Sequence, residues 1–152
     1  FSGGTLSKAF GGFGGIVPGP ADLIERVRSG PVMIAASPPP SPVATATLEG
    51  IKLVAANPQW RRRLWNNAKL LKDGLRRLGI EVDRTEVPIA AFTLDSAASM
   101  RRVHSRLFER DIAIQYTHYA GAGSEGVLRA VVFSNHTNEQ IERLIDELGR
   151  VL

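Results

Sequence analysis

The stretch Gly3-Gly4-Thr5-Leu6-Ser7-Lys8-Ala9-Phe10-Gly11-Gly12-Phe13-Gly14-Gly15 sets one lysine between two hydroxyls and a run of glycines. Glycines let a backbone approach a ligand closely and take positive φ. The hydroxyls of Thr5 and Ser7, with the backbone N–H groups of such a loop, can donate to phosphate oxygens. A deprotonated lysine amine, here that of Lys8, condenses with an aldehyde to a Schiff base. Phosphate donors beside a Schiff-base lysine are what pyridoxal phosphate (PLP) requires. Two commoner phosphate motifs do not fit. In a P-loop the lysine follows G-x-x-x-x-G, whereas Lys8 precedes the glycines, and a dinucleotide fingerprint begun at Gly12 needs a glycine where Val17 stands.

Arg129 is the second candidate. Leu128-Arg129-Ala130-Val131 reads as a strand with one charge in an apolar run. Such a charge needs a partner or a cleft to face. The guanidinium fork suits a carboxylate; the plain alternative is an edge-strand arginine in a surface salt bridge. His118 and Tyr119 lie in the loop before that strand, either lining a pocket or serving as ordinary loop residues. His104 sits on a helix among arginines and reads as solvated, while His136 reads as ordering the turn before the last helix. The three histidines have no metal-ligand spacing, so no metal site is expected, and no serine stands in a G-x-S-x-G elbow.

Gly4-Thr5-Leu6-Ser7-Lys8-Ala9-Phe10-Gly11-Gly12 resembles the PLP-lysine motif of the α-oxoamine synthases, a family of fold-type I PLP-dependent enzymes. The class I/II aminotransferases share a looser version. The resemblance runs, with gaps, to the C-terminus, and it implies that Lys8 carries the cofactor and that Thr5 binds its phosphate. In the family, a Ser/Thr-rich segment ending in Pro-Pro reaches a neighbouring subunit's cofactor phosphate. Here Ala35-Ala36 stand where hydroxyls are expected, which leaves Ser37 as a phosphate contact or a plain turn residue. A Leu-Arg-apolar strand followed by Ala-Ala-His supplies the family's arginine for the amino-acid carboxylate. Arg129 matches it, with Ser134-Asn135-His136-Thr137 in the place of Ala-Ala-His-Thr. The segment His118-Tyr119-Ala120-Gly121-Ala122-Gly123 departs from the family's usual Pro-Thr-x-Pro and further arginine, which leaves the acyl donor and the amino acid open.

The reaction so implied is a PLP-dependent acyl transfer that condenses an amino acid with an acyl thioester of the acyl-CoA type, in a homodimer. Aminotransferase chemistry is the alternative enzyme reading. The chain starts at Phe1, inside the motif, and the family's pyridine-stacking aromatic and ring-nitrogen aspartate lie upstream of this lysine. The expectation is therefore the C-terminal portion of a longer enzyme, inactive without its N-terminal portion. A different class stays open too, an inert domain that binds no cofactor.

Composition agrees with a soluble α/β protein. Of 152 residues, 43% are hydrophobic and 22% charged, enough for a domain-sized core. No apolar run approaches the roughly 20 residues of a membrane helix. The absence of cysteine excludes disulfides and thiolate metal sites and fits a cytoplasmic protein. A net charge of +4 mildly favours anionic ligands. Nucleic acid is not expected, because the arginines mostly fall on helices that also carry acids. Trp60-Arg61-Arg62-Arg63-Leu64-Trp65 reads as a solvated helix flank beside an apolar stripe.

The elements that must position these residues follow from period and punctuation. Gly15-Ile16-Val17 reads as a short strand, 21–28 as a helix, and Val32-Met33-Ile34 as an extended piece. Ser37-Pro38-Pro39-Pro40-Ser41-Pro42 reads as a stiff linker. Residues 43–56 read as a helix with Leu48, Ile51, Val54 and Ala55 on one side. A second helix follows Asn57-Pro58, apolar at Trp60, Leu64, Ala68, Leu71, Leu75 and Leu78, and stops at Gly79. Beyond Ile80 come a strand at 88–94, a helix at 99–110, strands at 112–115 and 127–133, and a last helix opened by the capping box Thr137-Asn138-Glu139-Gln140. The fold class is α/β, the C-terminal part of a fold-type I transferase. Residues 1–56 are read as the end of the PLP-binding large domain, 57–79 as a connecting helix, and 80–152 as a small β-α-β-β-α domain that holds its own core.

Overall fold

The computed structural model describes residues 2–119 and 122–152. They form two units, one ending at Pro58 and the other running from Gln59 to Leu152.

In the first unit, β1 (Gly4–Thr5) pairs antiparallel with β2 (Gly15–Ile16) and closes the glycine-rich loop into a ribbon. Helix α1 (Ala21–Arg28) follows Pro20, with Asp22 in its first turn and Arg26 and Arg28 in its last, matching the helix dipole at both ends. Val32-Met33-Ile34 is not extended. Met33 N–H donates to Gly30 O (2.9 Å) and Ala36 N–H to Met33 O (3.2 Å), so the segment coils through turns up to Ala35, whose φ is 67°. Helix α2 (Ser41–Ala56) starts two residues before position 43, because Pro42 in the first turn has no N–H to lose there. Its inward side is Val43, Thr47, Gly50, Ile51 and Val54, whereas Leu48 is 50% exposed. Thr47 is the one fully buried residue among those described in this unit, and Phe13, Ile16 and Val17 lie open.

The second unit holds the apolar core. Helix α3 (Pro58–Arg77) contributes Ala68, Leu71 and Leu75, so the core reaches upstream of Ile80. Strands β3 (Ile89–Phe92), β4 (Gln115–Thr117) and β5 (Val127–Val131) form an antiparallel sheet ordered β3-β5-β4. Side chains alternate across it. Ala90, Phe92, Leu128 and Ala130 enter the core with Met100, Val103 and Leu107 of α4 (Ala97–Phe108) and Ile141, Ile145 and Leu148 of α5 (Asn138–Val151). The helices thus share one face of the sheet in the expected β-α-β-β-α order. Each large aliphatic side chain so buried is worth about 1.5–3 kcal/mol. Helices α3 and α5 approach closely at Gly74, where a Cβ would stand 2.1 Å from Ile145 Cδ1.

The start of α5 and the stop of α3 follow their local chemistry. Thr137 Oγ1 accepts from Gln140 N–H (3.3 Å) while Gln140 Oε1 accepts from Thr137 N–H (2.9 Å). After α3, Ile80 N–H bonds Leu75 O and Gly79 N–H bonds Arg76 O, with Gly79 at φ 80°. Helix α4 ends by the same device with Asp111 at φ 58°: Ile112 N–H bonds Leu107 O and Asp111 N–H bonds Phe108 O. Ile112 therefore belongs to the helix stop, and β4 begins three residues later than the apolar run suggests. None of the described helices is long and apolar enough to cross a membrane.

Candidate functional site

The first group of candidate residues sits in the ribbon loop. Leu6 N–H donates to Gly14 O (3.0 Å) and Gly12 N–H to Leu6 O (2.9 Å), folding residues 6–14 into a compact hairpin. Gly11 and Gly14 lie at φ 62° and 77°, where a side chain would strain the backbone. Thr5 Oγ1 and Ser7 Oγ are 2.8 Å apart, and Ser7 N–H points to Thr5 Oγ1 (3.3 Å). Lys8, one residue on, is exposed, and its amine has no acceptor among the described residues. A phosphate taking up the paired hydroxyls would replace a neutral hydrogen bond by charge-assisted ones. The donor set of two hydroxyls and an unengaged primary amine on one loop therefore fits a small molecule that carries both a phosphate and an aldehyde.

This loop rests on α2. A Cβ at Gly50 would lie 2.3 Å from Phe10 O, and one at Gly12 would lie 1.9 Å from Thr47 Oγ1. Thr47 turns its hydroxyl proton to Val43 O (2.8 Å), leaving a flush surface one helical turn long. Gly50→Ala gains about 1 kcal/mol of helix propensity. It also forces a backbone carbonyl aside, an overpacking cost of about 1–3 kcal/mol. The expected outcome is faster hydrogen exchange at the amides of Leu6 and Gly12 in the full-length protein. Unchanged exchange there would show that the loop does not depend on its seat.

Ser37 lies in the irregular stretch between Ala36 and the three prolines, exposed, with no partner for its hydroxyl among the described residues.

The second group lies on the sheet of the other unit. Arg129 is in the middle of β5, the central strand, opposite Ala91 of β3 and Gln115 of β4. Alternation puts it on the face away from the helices. Its Nη1 donates to Gln115 Oε1 (3.1 Å), and among the described residues no carboxylate forms a salt bridge with it. Arg129 and Tyr119 line one open cleft of about 500 Å³, whose other walls are Asp83, Thr85, Val87, Ile89 and Ala91. His118 is not among the lining residues. Its ring meets Tyr116 edge-on at 5.3 Å, and Gly126, at φ 78°, leaves it room where a Cβ would stand 3.0 Å from the ring. Of the segment 118–123, Ala120 and Gly121 lie outside the described residues.

His136 orders the turn before α5, accepting from Phe133 N–H at Nδ1 (3.2 Å). Asn67, buried on α3, holds the same turn through Nδ2 to Phe133 O (2.8 Å) and His136 O (2.9 Å). Lys72, also on α3, is buried with its ammonium on Asp83 and Thr85. Sequence periodicity gave no warning of either; the signal available was a polar residue one step from the apolar stripe. Among the described residues, no group of His, Asp or Glu gathers as a metal site would.

The profile of the aminotransferase class I and II family matches residues 2–148. The chain is 31% identical over 150 residues to the 8-amino-7-oxononanoate synthase of Thermosipho melanesiensis, covering 97% of this chain and 38% of that protein. With the same enzyme of Bacillus pumilus it shares 34% over 145 residues, 93% of this chain and 37% of that one. Among solved structures, 8-amino-7-oxononanoate synthase from Francisella tularensis superposes with a TM-score of 0.83 at 25% identity, over 97% of this chain and 44% of the other. Serine palmitoyltransferase from S. paucimobilis with a bound PLP–myriocin aldimine superposes at 0.79 with 30% identity, over 98% and 38%. The chain thus spans about two-fifths of the length of the curated relatives it matches.

Proposed function

Since the chain belongs to the aminotransferase class I and II family, we propose that it forms the C-terminal portion of a PLP-dependent enzyme that condenses an amino acid with an acyl thioester of the acyl-CoA type. The observation that carries this reading is the ribbon loop, where paired hydroxyls and an unengaged amine meet the needs of the cofactor's phosphate and aldehyde. The names of the relatives, a synthase and a palmitoyltransferase, favour condensation over amino-group transfer.

Thr5 and Ser7 would hold the phosphate, and Lys8 Nζ would attach the cofactor. When bound, PLP supplies an electron sink for the substrate carbon that loses a substituent. Lys8 Nζ, once free, accepts the proton from that carbon. Arg129 keeps Nη1 on Gln115 Oε1 and turns its remaining N–H groups to the substrate carboxylate, which fixes the orientation of the bond to be broken. Tyr119, on the same cleft, narrows it around the substrate, and His118 supports the loop behind it.

On this reading, residues 1–56 close the large domain, 57–79 connect, and 80–152 form the small domain, whose core also takes in α3. The enzyme is a homodimer in which Ser37 reaches the cofactor phosphate of the neighbouring subunit; its exposed, unengaged hydroxyl supports this. The test is an assay of the full-length enzyme with a panel of small amino acids and an acyl-CoA, following free thiol. The expected result is thiol release that needs both substrates. Amino-group transfer to a 2-oxo acid without thiol release would overturn the condensation and select the aminotransferase reading.

A further inference from the structure

Lys72 stands in the middle of α3 with its side chain 3% exposed. A buried ammonium is costly unless every N–H finds an acceptor. Here three N–H groups meet three acceptors: Asp83 Oδ1 (2.9 Å), Thr85 O (2.8 Å) and Thr85 Oγ1 (3.3 Å). Asp83 Oδ1 in turn accepts from Thr85 N–H (2.8 Å) and from the Thr85 hydroxyl. The Thr85 hydroxyl, then Lys72 and then the Thr85 N–H hold the Asp83 carboxyl well below the usual carboxylate range. Arg76 adds a fourth tie, Nη2 to Asp83 O (2.7 Å).

The cluster fastens an irregular stretch of chain. Residues 81–88 belong to no helix or strand, so no sheet ladder holds them until β3 begins at Ile89. Asp83, Thr85 and Val87 of this irregular segment nevertheless make one wall of the cleft that Arg129 and Tyr119 line. Lys72 itself is not a lining residue of that cleft. A surface ion pair would serve stability as well from an exposed site. A fully desolvated lysine aimed at one irregular wall instead specifies where that wall stands.

We infer that Lys72 is a positioning residue for the amino-acid cleft, fixing through Asp83 and Thr85 the wall that faces Arg129. The inference rests on the reading of Arg129 as the carboxylate-binding residue. It is tested in the full-length PLP-loaded enzyme with Lys72→Met, which keeps the buried stem and removes the donors, and with Asp83→Asn, which loosens the same cluster from its half-exposed side. Lys72→Met is expected to raise the amino-acid KM about tenfold or more. The thioester KM and the amount of bound cofactor stay unchanged, and hydrogen exchange rises at residues 83–87 but not in α4 or β5. Asp83→Asn moves the same quantities less, in the same direction, and decides the matter if Lys72→Met does not fold. A lowered melting temperature with both KM values unchanged would make Lys72 a structural residue only and overturn the inference. Arg129→Lys, run in parallel, separates the two failures. Weakened amino-acid binding there beside unchanged binding in both cluster variants rejects Lys72 alone, and unchanged binding in all three rejects the Arg129 reading as well.

Discussion

Lys8→Ala in the full-length enzyme abolishes covalent attachment of the cofactor and lowers turnover by about 10²–10⁴-fold or more, the share a positioned acid–base group supplies. The chain has four lysines. Lys52 is paired with Glu49 (2.7 Å), Lys69 with Asp73, and Lys72 is buried with its donors taken. Only the Lys8 amine is both exposed and without an acceptor among the described residues. The measurement is borohydride reduction of the PLP-loaded protein followed by peptide mapping. A pyridoxyl group on Lys52, Lys69 or Lys72 would falsify the assignment. Loss of the bound cofactor's visible absorbance in Lys8→Ala, with fold retained by circular dichroism, completes the expected result.

Arg129→Lys weakens amino-acid binding and leaves cofactor binding alone. The substitution replaces a planar fork with a point charge. It gives up one charge-assisted hydrogen bond to the carboxylate, about 1.5–3 kcal/mol, or roughly ten- to a hundredfold in affinity. The bond to Gln115 Oε1 is what holds the fork in plane on the open face of the sheet, and the shorter reach of lysine cannot keep both contacts. The two quantities separate in a titration of the loaded enzyme with amino acid, followed by the change in cofactor absorbance. Equal affinity in variant and parent would remove Arg129 from the site.

Much of the second unit is legible in the sequence because its signals are local. The Thr137/Gln140 box and the Gly79 stop each need only a few neighbouring residues, and both stand in the structure. The apolar spacing of Leu71, Leu75, Met100, Val103 and Leu107 marked the core for the same reason. Misreadings came where a longer-range or less usual device decides. Asp111 takes the left-handed conformation that glycine usually supplies, so the helix stop after α4 was hidden and Ile112 passed for a strand residue. Val32, Met33 and Ile34 have strand-like side chains, but Gly30 starts a turn through them. Leu48 looked inward by spacing, yet the side of α2 that turns in is the one whose small residues, Thr47 and Gly50, admit the loop. At the candidate site, Lys8 and Arg129 stood out because each interrupts its surroundings, a charge among glycines or among aliphatics. The roles of Lys72 and Asn67 depend on partners 11 or more residues away, and no window of sequence contains them.

The strand order β3-β5-β4 also bears on how the protein is made. The middle strand is the last to leave the ribosome, so β3 and β4 emerge with no neighbour to pair with. Until Val127–Val131 arrives, both carry open edges that other nascent chains can add to. Synthesis of this unit therefore passes through an interval in which α3 and α4 can form and its sheet cannot. The late strand carries Arg129, so the residue proposed to hold the substrate carboxylate is put in place by the same event that closes the sheet.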